Sequence, residues 1–187
     1  QYDDTIQRYG RWLVDVLNWK NQPVLDVGCG TGLRTAAFAE SGAVSVGVDR
    51  DEAAVHLGRQ HWPVDAERGS TEGLPTGSSE PPLLVASALD LHQFGDNRFA
   101  GLHAYAALEH SRSSQIPLML QELYRVAQPG ALFFCVIQTK EHLSRAGVEG
   151  FGRAASPPLV RSYDWWRAQF ESQGWSICTE EFRLLLL

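Results

Sequence analysis

The stretch Val24-Leu-Asp-Val-Gly-Cys-Gly-Thr-Gly32 sets a carboxylate, Asp26, inside an apolar run and follows it with glycines at 28, 30 and 32. A carboxylate removed from water costs free energy unless hydrogen bonds compensate. Glycine gives up more conformational entropy on folding than any other residue. Together they make sense as a turn that brings bare main chain against a ligand. Gly28 and Gly30 permit the tight turn and leave no Cβ in the ligand's way. A helix starting near Thr31 aims its free N–H groups and the positive end of its dipole at the same spot. The dinucleotide pattern G-x-G-x-x-G is not met, because Leu33 holds its third glycine position. Asp26 would repel a pyrophosphate and attract an ammonium. Asp49, 17 residues beyond Gly32 and at the end of the next apolar run, suits the two hydroxyls of a ribose.

These residues need a frame, and the chain supplies one. "VLDV" reads as a buried strand, "LRTAAFAESG" as a helix closed at Gly42, "AVSVGVD" as a valine-dense strand covered on both faces, and "DEAAVHLGRQH" as a second helix. That alternation predicts a parallel sheet with right-handed crossovers. Further on, "LLVASALD", "FAGLHAYA" and "ALFFCVIQT" read as strands. The last has no polar residue before Gln138, which assigns it to the sheet centre. "SQIPLMLQELYRVAQPG" is an amphipathic helix stopped at Pro129-Gly130, "YDWWRAQFESQG" a short helix, and "WSICTEEFRLLLL" a closing strand. The predicted fold class is α/β: a Rossmann-like open, mostly parallel sheet of six or seven strands with helices on both faces. Residues 1–187 read as one domain. Within it, 1–22 form an N-terminal helix suited to a lid, 63–82 a loop insert rich in Pro, Gly and Ser, and 140–162 an irregular substrate-side loop.

An ammonium at one end and an unphosphorylated ribose at the other describe S-adenosylmethionine better than NAD. "VLDVGCGTG" resembles the first motif of class I S-adenosylmethionine-dependent methyltransferases, and the likeness continues along the chain. "VGVDRDEAAV" is similar to the family's second-strand segment, "ALDLHQFGDNRFAGLHAYAALEH" to its D-x-x-x-F-x-D-x-x-F-D-x-V stretch ending L-E-H, and "LQELYRVAQPGALFF" to the segment before its fifth strand. The chain is nearest to the type 11 group, which acts on small molecules. The resemblance implies S-adenosylmethionine as cofactor, held by Asp26, Gly28, Cys29, Gly30, Asp49, Arg50, Leu89, Asp90, Leu91 and Tyr105. In that alignment Asp49 meets the ribose, Arg50 the adenine face and Asp90 the adenine amino group, while Leu89 and Leu91 flank the ring. Two positions depart from the pattern: Ala100 replaces an aspartate and Ala131 a glycine.

Methyl transfer from a sulfonium asks chiefly for in-line positioning, with a general base where the acceptor is a hydroxyl or protonated amine. His110, His142 and Tyr105 are the candidates for that work, each with a structural alternative: bracing a helix, a solvated loop, a pocket wall. His103, inside a strand pattern, reads as a packed core histidine. Trp165, Trp166 and Phe170 either line an acceptor pocket or belong to the core, and Tyr2, Arg8 and Tyr9 either close over the cofactor or dock a helix. His56 and His61 lie on different helix faces and no metal is expected.

The net charge of −6 and the missing proline-containing motif after "HAYA" weigh against a nucleic-acid methyltransferase. Leu33 and Asp26 weigh against an NAD-dependent oxidoreductase. A binding or scaffolding protein that no longer transfers methyl groups is the other alternative. Cys29, Cys135 and Cys178 are widely spaced and read as reduced thiols, which suits a cytoplasmic location. No membrane span and no signal peptide are expected, and a chain beginning at Gln1 reads as trimmed at its start. The expected partner is a small-molecule acceptor.

Overall fold

A computed structural model describes residues 4–62, 82–145 and 158–178. The elements run α1 (Asp4–Val16), β1 (Pro23–Val27), α2 (Leu33–Glu40), β2 (Val44–Asp49), α3 (Glu52–His61), β3 (Leu83–Val85), β4 (Phe99–Tyr105), α4 (Ile116–Val126), β5 (Ala127–Val136), α5 (Lys140–Arg145) and α6 (Tyr163–Ser172). The strands form one sheet in the order β3-β2-β1-β4-β5, every pair parallel. Strand order therefore reverses between β1 and β4, the place where such sheets open a crevice beyond their carboxyl ends.

Each face of the sheet carries its own core, and the period of two along the strands decides which residue goes where. Leu25 and Val27 of β1 join Leu102 and Ala104 of β4 beneath α4 and Trp166. Val24 points the other way, into a cluster with Leu13, Val14, Trp19, Phe38 and Phe134. Asp26 and His103 share that second face by the same alternation, paired across β1 and β4. Gly101 makes room there for Trp19, since an added Cβ would stand 2.3 Å from the indole Nε1. The helices follow from local chemistry. Asp51 caps α3 by accepting from the Ala53 and Ala54 N–H groups. Ile116, Met119, Leu120, Leu123 and Val126 line the buried side of α4 at helical spacing.

The structure corrects the expected sheet at several points. Its described strands number five, not six or seven. The "LLVASALD" strand is cut to Leu83–Val85, because the chain turns back where the Asp90 N–H bonds the Ser87 carbonyl. The strand β5, assigned to the centre, is the edge of the described sheet. It is apolar because Phe134 and Phe133 pack into opposite cores. Residues 140–145 are helical where irregular chain was expected. Trp175–Cys178 are not in a strand, and the rest of the closing segment lies outside the described residues, as do Tyr2, most of the 63–82 insert and residues 146–157.

The chain from Leu91 to Asp96, which leads into β4, is braced by one side chain. Arg125 donates to the carbonyls of Leu91 and Phe94, to Asp96, and to both carboxylate oxygens of Glu122. Glu122 in turn accepts the Leu91 N–H at 2.8 Å. Arg125→Ala is expected to cost about 2 kcal/mol, the scale of hydrogen bonds to charged groups, and to lower Tm by about 4–8 °C in a domain of this size. The Arg125 hydrogen bonds hold the Glu122 carboxyl below its ordinary value. A depressed folded-state pKa adds stability above the unfolded value, about 4.3, and loses it as pH falls through the folded one. Thermal melts of both proteins from pH 7 to 3 should therefore converge at the acid end.

Candidate functional site

The turn after β1 is left-handed at Gly28 (φ 71°), Gly30 (φ 56°) and Gly32 (φ 79°), a conformation that side chains resist. Main-chain bonds tie it to β2: the Gly28 and Cys29 N–H groups both donate to the Val48 carbonyl, at 2.8 and 3.1 Å. Two of the glycines are closed in by neighbours. An added Cβ at Gly28 would stand 2.3 Å from the Ala107 Cβ, and one at Gly32 would stand 2.5 Å from Leu83. Gly30 differs, for nothing lies within 4 Å of the place its Cβ would take. Beside it, Asp49 at the end of β2 accepts the Gly30 N–H at 2.7 Å through one oxygen and the Asp51 N–H at 2.9 Å through the other.

Asp26 has turned inward. It is 2% exposed, with one oxygen accepting from the Thr35 hydroxyl at 2.6 Å and the other meeting His103 Nδ1 at 2.7 Å. A carboxylate only accepts, so His103 carries a proton on Nδ1, and its Nε2 shares a hydrogen bond with the Tyr9 hydroxyl at 2.8 Å. The result is a buried line from β1 through β4 to α1. Asp26 is shut behind these partners, so the structure shows it bonded to the protein in place of the direct ammonium contact expected of it. Burial pushes the Tyr9 hydroxyl and the Cys29 thiol well above their ordinary values, which keeps both protonated near neutrality.

The adenine-side residues are placed differently from expectation. Leu91 is wholly buried in the core under the sheet and cannot flank a ring at the surface, whereas Leu89 is only half-buried. Arg50 spends a guanidinium nitrogen on the His110 carbonyl, 3.0 Å away, tying the end of β2 to the turn after β4. Asp90 is exposed and accepts from the His92 ring and main-chain N–H, bonds that hold its carboxyl below the usual range.

Tyr105 ends β4 with 39% of its surface exposed, and the Arg34 guanidinium lies 3.8 Å above its ring. His110 and His142 are both exposed, and neither imidazole is brought to the glycine turn by any bond to it. Of the rings weighed for an acceptor pocket, Trp166 is in the core at 3% exposed, and Trp165 and Phe170 are half-buried against the same core. Glu109, between Leu108 and His110, is 1% exposed. One of its oxygens accepts the Gln138 N–H while the other has no partner, and burial raises its carboxyl. Among the described residues no cluster of His, Cys, Asp or Glu could hold a metal, and no helix is long and apolar enough to cross a membrane.

Sequence reasoning missed three features here. Arg34 gave no signal, being one more cation on a helix. The pairing of Asp26 with His103 had one: both are polar residues inside apolar strand runs, and both fall in the same phase. Glu109 is a carboxylate immediately after a buried leucine, which is equally visible once the strand end is known.

Comparison with known proteins agrees with the geometry. A family model described as methyltransferase domain, of type 11, matches residues 25–135. A demethylmenaquinone methyltransferase of Symbiobacterium thermophilum is 36% identical over 121 residues, which is 63% of this chain and 43% of that protein. A ribosomal protein L11 methyltransferase of Neisseria meningitidis is 38% identical over 90 residues, 46% of this chain and 30% of that protein. The chain thus spans less than half the length of these relatives. Among solved structures, magnesium protoporphyrin IX methyltransferase of Synechocystis with bound SAM superposes with a TM-score of 0.62 at 20% identity, over 93% of this chain and 69% of that one. A match over residues 25–135, carried on a parallel sheet with its glycine turn at the strand-order switch, makes the chain a member of the type 11 methyltransferase-domain family.

Proposed function

We propose that the protein transfers a methyl group from S-adenosylmethionine to an O, N or C atom of a small-molecule acceptor. The observation that carries the reading is Gly30: a left-handed, side-chain-free turn facing open space, with the Asp49 carboxylate anchored at its edge. That cradle fits the cofactor, whose contribution is an electrophilic methyl on a sulfonium. Gly28, Cys29 and Gly30 supply the main chain against which it rests. Asp49 has lone pairs left for the ribose hydroxyls beyond its two backbone bonds. Asp90 and Leu89 remain for the adenine, and Tyr105 walls the amino-acid end. Asp26 acts at one remove, holding Thr35 of α2 and His103 of β4 in place.

The acidic chain supports a small acceptor over a nucleic acid, and the menaquinone-related name of one relative points the same way. His110 and His142 are the residues available as a base at the acceptor side, both in segments that follow the carboxyl edge of the sheet. We place the protein in the cytoplasm, a reading supported by the free thiols of Cys29, Cys135 and Cys178, and we treat residues 1–187 as one domain.

Calorimetric titration with S-adenosylhomocysteine tests the donor, and micromolar binding is expected. No heat at millimolar ligand would overturn the reading. Binding of S-adenosylmethionine without transfer to any quinol, phenol or amine offered would favour the scaffolding alternative. Asp49→Ala is expected to weaken S-adenosylhomocysteine about 10-fold, the loss of a charged hydrogen-bond acceptor.

A further inference from the structure

Glu109 sits where three segments of chain meet. It lies in the turn Leu108–His110 after β4. Its carboxyl accepts the N–H of Gln138, just past the end of β5, and its carbonyl accepts the N–H of Leu159, on the approach to α6. Those two segments also hold each other. The Lys140 N–H donates to the Arg161 carbonyl at 3.0 Å, Thr139 bridges Arg161 in parallel, and Glu141 accepts the Tyr163 N–H at 3.1 Å. Glu109 is thus bonded to both sides of one seam. It is 1% exposed, and its Oε2 has no partner. A neutral acid tolerates that place: one oxygen takes the Gln138 N–H while the other carries the proton. A carboxylate does not, since burial strips its charge of water and leaves an oxygen unpaired. Burial raises the carboxyl, against its own and the Gln138 N–H and the His110 imidazole, which favour the ionised form. Cys135 of β5 faces it as well, and that thiol, pushed up by burial and by the Glu109 charge, stays neutral. The charged groups of the seam are set outward: Lys140, Glu141 and His142 are exposed, and the Arg161 guanidinium is turned over the Trp165 ring.

We propose that Glu109 is a proton-operated latch: protonated, it fastens the chain leaving β5 to the chain entering α6, and ionised, it lets the two part. The latch goes beyond methyl transfer and stands whether or not the donor reading holds. Because it lies at the carboxyl edge of β4 and β5, its release loosens one rim of the crevice. The sign follows from a folded pKa above the unfolded value of about 4.3. The seam is fully stable below the unfolded value and loses that stability as pH rises through the folded one.

Amide exchange followed by NMR from pH 4.5 to 8, corrected for intrinsic rates, reads the seam directly. In the wild type, protection of the Gln138 and Leu159 amides should fall together about 10-fold, the scale on which an unpaired buried polar group is penalised. The fall should level off above the midpoint of the Glu109 carboxyl carbon shift. The Arg98 amide, bonded to the Val126 carbonyl at the far end of β4, should not change. Glu109→Gln keeps an oxygen for Gln138 and cannot ionise, so its protection should stay at the acid-side level throughout. Protection that is absent or independent of pH in the wild type overturns the latch, and so does a carboxyl midpoint in the ordinary carboxylate range. A pH dependence that persists in Glu109→Gln overturns it too, by assigning the effect to His110 or another group. If that variant does not fold, the two wild-type profiles still decide: a fall in exchange protection that does not end at the carboxyl midpoint overturns the latch.

Discussion

Gly30→Ala is expected to leave the protein folded and to weaken S-adenosylhomocysteine about 100-fold. The two effects separate because of where the new methyl goes. Its φ of 56° makes alanine strained, at about 1 kcal/mol, yet no protein atom lies within 4 Å of the added carbon. The methyl enters the space assigned to the ligand, where overpacking costs about 1–3 kcal/mol, roughly 5- to 150-fold in affinity. Gly28→Ala supplies the contrast. Its methyl would meet Ala107 at 2.3 Å, so the loss should appear first in the melting temperature. Calorimetry and thermal melts on the two variants check both halves. Unchanged affinity in Gly30→Ala would show that the ligand does not rest on this turn.

Asp26→Ala should be the most destabilising of the single changes considered, by about 3–4 kcal/mol. It strips a buried hydroxyl and a buried imidazole of their acceptor at once, and each orphaned polar group costs about 1–3 kcal/mol. Chemical denaturation should show the whole loss in the midpoint, with the slope unchanged. Asp26→Asn keeps one acceptor and should recover part of the stability. A direct ligand role would produce a different pattern, with apo stability nearly intact and affinity lost.

Much of the frame was legible from the chain because its residues alternate cleanly. Val24, Leu25 and Val27 declare a strand buried on both faces, and the glycines at 28, 30 and 32 mark the turn that follows. The buried carboxylate was also visible as a problem, but its solution was not. Thr35 and His103 lie 9 and 77 residues away, and only the register of β1 against β4 brings the second into reach. The centre-or-edge error for β5 has a similar origin. An apolar run reports cover above and below, not neighbours at either side, and β5 has the cover without the second neighbour among the described strands. Leu91 escaped because it sits in a turn, where no period tells core from surface. Arg34 escaped because a cation stacked on a tyrosine looks in sequence like any solvated one.

The matched family region opens at residue 25, yet the molecule does not begin to cohere there. Leu13, Val14 and Trp19 are shut away under one side of the sheet, and Tyr9 holds the outer nitrogen of the central imidazole. A fragment excised at that boundary would bare a greasy flank and strand a histidine in it. Helix α1 is thus a wall of the building, and the smallest autonomous piece of this protein must carry it.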